Sequence, residues 1–194
     1  RDTIPGRRRV TRYMPSGEVT IPRLAPVSVE AVGAALAQAI ARHSGEQGGK
    51  VRQHRQGPFL VAQAGSHRYW ASLASGAYKL TDIEASMAKE TRLGGFDDAL
   101  QTALDYVAKQ GVVALGKDEM LDIVVVSAVR NVLAEVGQDE PKESFLSDYY
   151  VVFGRRVQGI PVIGERLLVR LDGEGKVAAL ERHWPRLKGV GEQP

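Results

Sequence analysis

The sequence predicts an α+β fold made of antiparallel sheets, each packed by one helix, in two such units. One observation is the order of segments: a helix-like stretch precedes strand-like stretches twice, over residues 28–83 and again over 96–184. The other is size, because 194 residues with 43% hydrophobic content suit one large domain or two small ones. We therefore expect an extended basic lead-in over 1–27, a first unit over 28–90 and a second over 91–188.

The lead-in is rich in proline and arginine, which favours an extended path with one edge strand at "EVTIPRL". The simplest interpretation is a solvated tail or a strap along the domain. Contact with nucleic acid or an acidic partner is the alternative, and we consider nucleic acid unfavoured because Tyr13 is the only aromatic residue near the cluster. The arginines are Arg1, Arg7, Arg8, Arg9, Arg12 and Arg23.

The first unit is predicted to begin with a helix that has Ser28 as its N-cap and ends at Gly45. Its apolar residues follow helical spacing: Val29, Val32, Leu36, Ala39 and Ile40. Short strand-like runs then occupy residues 59–63, 67–73 and 77–80. Small residues and glycine mark the turns between these runs, so they predict antiparallel hairpins.

The second unit is predicted to begin with a helix from about Phe96 to Gln110, closed by Gly111. The next segment, residues 120–136, is strand-like, although its latter part from Ser127 is also compatible with a helix. A charged loop, "GQDEPKES", leads from there into the final group of strands.

The final strands follow from alternation and turn residues. Tyr149, Val151, Phe153, Arg155 and Val157 share one strand face, which places Arg156 on the other. Glycine and proline then predict the bends, since glycine accepts positive φ and proline belongs at an edge or bulge. The residues predicted to set this geometry are Phe153, Gly159, Pro161, Gly164, Asp172 and Gly175.

This stretch resembles the propeptide domains of thermolysin-type and fungalysin-type metalloproteases and the related PepSY modules. The matching pattern covers residues 145–184: a strand ending in Phe153, then "GIPVIG" from Gly159 to Gly164, then a strand and the hairpin "DGEGKV". The resemblance implies cystatin-like units, each with a helix on a curled antiparallel sheet. It also implies a protein-binding, inhibitory or chaperone-like role. Gly154-Arg155 departs from the polar pair, commonly glutamines, that the propeptides carry after the Phe.

Several kinds of chemistry lack their usual sequence signals. The chain has no cysteine, and its four histidines never fall at the spacing of an H-E-x-x-H metal motif, so we expect no metal site and no cofactor. A nucleophile elbow and a phosphate-binding glycine loop are also lacking. Acid–base chemistry in a cup between helix and sheet stays open as an alternative. Its candidates are His67, Tyr69, Asp82, Asp148 and Tyr149.

The arginines of the final strands are the candidate binding residues. Arg166 and Arg170 are expected on one face, where Arg156 and Arg182 join them in a suitable register. Such a basic sheet face suits a carboxylate, a phosphate or an acidic partner strand. The alternative is a solvated face balanced by nearby glutamates. Arg155 shares the face of Phe153, so it needs a partner or a place at the rim.

We therefore expect a non-catalytic binding protein: an interaction, inhibitor or chaperone-like module, or a subunit of a larger assembly. The expected partner is another protein, bound by β-strand addition or through the basic face. The alternative is a small enzyme of the cyclase or isomerase type that uses the helix–sheet cup. The resemblance, and a first residue that is Arg1 instead of methionine, favour a secreted or periplasmic location. No stretch reaches the ~18 apolar residues of a membrane span.

Overall fold

The computed structural model describes residues 23–24, 27–44, 51–85, 90–133, 143–184 and 187–188. Within these ranges the chain forms two helices and ten strands. In chain order they are β1 (Arg23–Leu24), α1 (Val29–Ser44), β2 (Arg52–Gln56), β3 (Phe59–Ala64), β4 (His67–Ser72), β5 (Tyr78–Asp82), α2 (Phe96–Gln110), β6 (Glu119–Leu133), β7 (Glu143–Val157), β8 (Ile160–Leu171), β9 (Val177–His183) and β10 (Leu187–Lys188). The predicted lead-in lies outside the described residues, apart from β1 and Val27.

Eight of the strands form one antiparallel sheet in the order β2-β3-β4-β5-β9-β8-β7-β6. Hairpins join neighbours on both sides, and β5 pairs with β9 in the middle, with Leu80 opposite Leu180. The two short strands, β1 and β10, pair with each other separately. The sheet is therefore continuous from the strands that follow α1 to the strands that follow α2.

The predicted division into two separate helix-plus-sheet units is wrong. Each helix is followed by four strands of the eight-stranded sheet, but the two series of strands merge through the β5–β9 ladder. Leu36 of α1 and Ala103 of α2 also belong to the same buried cluster. Alternation along a strand identifies its buried face but not its neighbour, so the sequence pattern could not show that the two sheets were one. Cystatin-like units, which the resemblance implied, are accordingly not the architecture of the described chain.

Both helices cover the same face of this sheet. Register places Tyr69, Leu80, Leu180, Val169 and Val151 side by side across five strands, and all are buried. Residues that are paired across neighbouring strands project from the same face. α1 packs on β3 and β4, whereas α2 packs on β6, β7 and β8. The opposite face carries no helix of the described chain.

The helix ends agree with their predicted signals. Ser28 Oγ accepts a hydrogen bond from the Ala31 N–H at 3.1 Å, which is the contact of an N-cap residue. Gly111 follows α2 in the left-handed region, at φ 54° and ψ 41°. These local signals predicted both helices because each depends on neighbouring residues alone. Gly45, the predicted end of the first helix, lies outside the described residues.

The strands of the first half match the predicted runs, with one omission. The predicted runs correspond to β3, β4 and β5. The omission is β2, "RQHRQ", whose residues are all polar and exposed, so it shows no apolar alternation. In the second half, residues 127–133 continue β6, so the strand interpretation of this segment is correct and the helix interpretation is wrong.

The β7–β8 hairpin turns over two residues in the left-handed region, Gln158 at φ 49° and Gly159 at φ 81°. Pro161 lies opposite Arg156 and precedes the part of β8 that pairs with β9, so no ladder needs its missing N–H. Gly164 has φ 86° beside the register shift between Phe153 and Arg155. The β8–β9 turn is held by Asp172 Oδ1, which accepts the N–H groups of Glu174 and Lys176 at 2.9 Å; Gly175 has φ 78°.

Candidate functional site

A groove of about 500 Å³ opens on the helix-free side of the sheet, at one end of its central strands. It lies where β3 and β5 begin and where β4 and β9 end, next to the middle of β8. We refer to it as the end groove. Its lining residues are Gln56, Phe59, Trp70, Ser72, Ala77, Tyr78, Lys79, Arg166, Glu181, Arg182 and His183.

Strand register brings the main residues of the end groove together. Trp70 of β4 lies opposite Lys79 of β5, and Lys79 lies opposite Glu181 of β9. Each of the three follows or precedes a core residue by one position, so alternation points their side chains away from the helices. Arg166 of β8 is paired with His183, which puts a second cation beside Glu181.

The charges in the end groove are linked but not balanced. Glu181 binds Lys79 Nζ at 2.7 Å through Oε1 and an Arg166 guanidinium nitrogen at 3.3 Å through Oε2. The Arg182 guanidinium lies over the Tyr78 ring, 5.5 Å from its centroid. Lys79 and Arg166 therefore share one carboxylate on the helix-free face, which leaves an excess of one positive charge there, whereas Arg182 lies opposite Tyr78 and Leu167 and points to the helix side.

Two further side chains complete the polar part of the groove. The His183 Nδ1 atom lies 3.0 Å from the Gly164 carbonyl oxygen, which orients the imidazole ring. Burial raises the pKa of Tyr78, and the charge of Arg182 opposes this effect. Tyr78 is therefore a neutral phenol at physiological pH.

The five arginines predicted to bind a ligand do not form one surface. Arg166 and Arg182 line the end groove. Arg156 binds Asp122 at 2.9 Å, and Arg170 binds Asp148 at 2.9 Å. Acidic partners on neighbouring strands thus neutralise both of these side chains. The fifth, Arg155, lies in the interior.

Arg155 is the centre of a buried ion cluster. Its side chain is 2% exposed, and its nitrogens lie 2.6 Å from Glu165 Oε2 and 3.3 Å from Glu119 Oε1. The guanidinium also stacks over Trp184, 4.6 Å from the ring centroid. Burial raises the pKa of Glu165, and the charge of Glu119 adds to this effect while that of Arg155 opposes it. Closed off from solvent and paired on both sides, Arg155 is a structural residue.

The acid–base candidates lie apart from the end groove. Tyr69 and Tyr149 are buried in the core cluster between sheet and helices. Asp148 accepts hydrogen bonds from Arg170 and from Ser147 Oγ. His67 and Asp82 face each other across β4 and β5 at the other end of those strands. The five side chains therefore do not converge on one cavity.

Among the described residues, no group of three or more histidine, aspartate or glutamate side chains is arranged to hold a metal ion. In the described part of the chain, neither helix is both long and apolar enough to cross a bilayer.

No family model, curated protein or solved structure matches this chain. The likeness to metalloprotease propeptides and PepSY modules therefore rests on the sequence pattern of residues 145–184 alone and stays a prediction. The same holds for an extracytoplasmic location.

The sheet also offers two edges of unlike character. β6 extends over 15 residues and pairs on one side with β7; on its other side the described chain provides no strand. Six large apolar side chains along β6 are between 44% and 61% exposed: Met120, Ile123, Val124, Val125, Val132 and Leu133. At the opposite edge, β2 is short, polar and exposed throughout.

Sequence reasoning missed both the apolar edge and the aromatic residues of the end groove. The sequence "HRYW" predicts a strand, but the neighbours of Trp70 depend on strand pairing: Lys79 lies opposite it through β4–β5, and Glu181 joins them through β5–β9. A run such as "IVVV" is equally typical of a fully buried strand, so its exposure at an edge could not be inferred from periodicity.

Proposed function

We propose that this chain is a non-catalytic protein-binding module whose partner adds a strand to the β6 edge. The observation that carries the proposal is the length and apolar character of that edge. Inhibitor, chaperone-like and assembly-subunit roles would each use this mode of binding. What the partner would contribute is an extended segment with alternating apolar side chains.

The physical basis is the unpaired backbone of an edge strand. A strand at the edge presents a row of N–H and C=O groups that pair readily with another chain. Proteins usually protect such edges with charges, proline or short strands, as β2 illustrates with Arg52 and Arg55. β6 has exposed valine, isoleucine and leucine instead, and this combination gives a partner both main-chain hydrogen bonds and apolar contacts.

The test is to place charge on the edge without touching the core. Val124 and Val132 are 61% and 53% exposed, so Val124→Lys with Val132→Lys will leave the fold intact. With the full chain as bait in extracts of its source, we expect wild type to retain a protein that the double variant loses. Hydrogen exchange of β6 amides should slow in the wild-type complex because the added strand protects them.

Ile163→Lys is the matched control, because Ile163 is 91% exposed on β8 and away from the β6 edge. This variant makes the same apolar-to-lysine change and should retain the partner fully. Equal recovery with the double β6 variant, or exchange protection that appears elsewhere on the chain, would contradict the proposal.

A further inference from the structure

We propose that the end groove is a second binding site, for a small organic anion with a planar aromatic body, in chemical terms an aromatic carboxylate. This site is separate from the β6 edge, on which the proposed function rests. The groove crosses the strands at one end of the sheet, whereas strand addition would follow β6 along its length.

Charge supplies the first part of the argument. Lys79 and Arg166 share one carboxylate, Glu181, so their two positive charges are only half compensated. Their side chains are 49% and 61% exposed, which leaves N–H groups accessible to an incoming anion. The planar guanidinium of Arg166 suits a carboxylate because two parallel hydrogen bonds form at once.

Arg182 does not add to this charge. It lies opposite Tyr78 and Leu167, so its side chain points to the helix-covered side of the sheet. An anion in the groove would therefore meet Lys79 and Arg166 on the helix-free side.

The aromatic residues define the rest of the ligand. Phe59 and Trp70 line the groove, and Phe59 is exposed. The Arg68 guanidinium carbon lies over the Trp70 ring, 5.7 Å from its centroid, so Arg68 covers one face of the indole. A second planar ring can stack or pack edge-to-face in the remaining space. The groove volume of about 500 Å³ falls within the range of roughly 300–1,000 Å³ usual for small-molecule sites.

2-Naphthoate is a suitable probe, with neutral 2-naphthamide as its isostere. We expect calorimetry on the full chain to give a measurable Kd for the carboxylate and at least about tenfold weaker binding of the amide. Arg166→Gln should weaken naphthoate binding about fivefold to tenfold, since it removes a charged hydrogen-bond pair. Glu181→Gln should strengthen it severalfold, because Lys79 and Arg166 are then free of their shared carboxylate.

Lys109→Gln is the matched control: it removes one exposed positive charge from α2, on the other side of the sheet, and should leave the Kd unchanged. Amide NMR shifts should map to Trp70, Lys79 and Arg166. No binding of naphthoate, equal binding of naphthamide, or an unchanged Kd in Arg166→Gln would overturn the proposal. Preferential binding of an acidic peptide over naphthoate would also overturn it, because the site would then be a protein-docking surface.

Discussion

At the scale of single residues, Arg155 shows what strand alternation can predict and what it cannot. Its position two residues after Phe153 places it on the core face, so a partner was required by the cost of an unpaired buried charge. Sequence could state the requirement but not the partners. Glu119 and Glu165 reach Arg155 from β6 and β8, and that proximity depends on sheet register and on the β7–β8 irregularity.

Arg155→Ala is expected to lower the free energy of unfolding by about 3–5 kcal/mol. The substitution leaves the buried carboxylate of Glu165 and the part-buried carboxylate of Glu119 without their shared cation, and broken buried pairs cost this much. Urea or guanidinium unfolding followed by circular dichroism measures the change.

The adjacent residue supplies the control for this prediction. Arg156→Ala removes a half-exposed pair with Asp122 and should cost no more than about 1 kcal/mol. If both substitutions cost the same, the Arg155 cluster does not contribute as a buried charge network.

At the scale of elements, local signals predicted structure well and register-dependent ones did not. α1 and α2 each have a cap and an apolar stripe within one segment, and the β7–β8 turn has glycine where φ is positive. β2 was missed since a polar edge strand shows no apolar face, although the turn at Gly57, with φ 57°, marks its hairpin with β3.

Two glycine-to-alanine changes should act in opposite directions. Gly159→Ala forces a side chain into the left-handed region and should destabilise the chain by about 1–2 kcal/mol. Gly33→Ala lies inside α1, where an added Cβ meets nothing within 4 Å, and should stabilise it by about 0.5–1 kcal/mol. Thermal and denaturant unfolding distinguish the signs. A Gly159→Ala variant as stable as wild type would show that the hairpin does not need this turn.

At the scale of the whole molecule, the decisive contact joins residues far apart in sequence. Lys79 and Glu181 form an ion pair across β5 and β9 although 102 positions separate them. No periodicity reports such a contact, which is why the groove residues other than the arginines were not anticipated. The order of helices and strands could be predicted from the sequence. Their union in a single sheet could not, because it depends on the long-range pairing of β5 with β9.

We expect neither half of the chain to fold alone. Fragments covering 28–90 and 91–188 would each expose a long backbone ladder, at β5 or at β9, and the core surface shared between them. Each fragment should show poor dispersion of its amide NMR signals and no cooperative unfolding transition, in contrast to the intact chain. A well-dispersed spectrum from either fragment would establish an independent domain.

The unlike edges of the sheet also set a valency. Growth of a fibril by strand addition needs two adhesive ends on every molecule, so that each newcomer exposes the next docking position. Among the described strands, the β6 edge can accept another strand, whereas β2 ends the sheet with Arg52, His54 and Arg55 exposed. A chain that joins through β6 therefore leaves a charged end outward, and assembly stops after one addition instead of running on as a polymer.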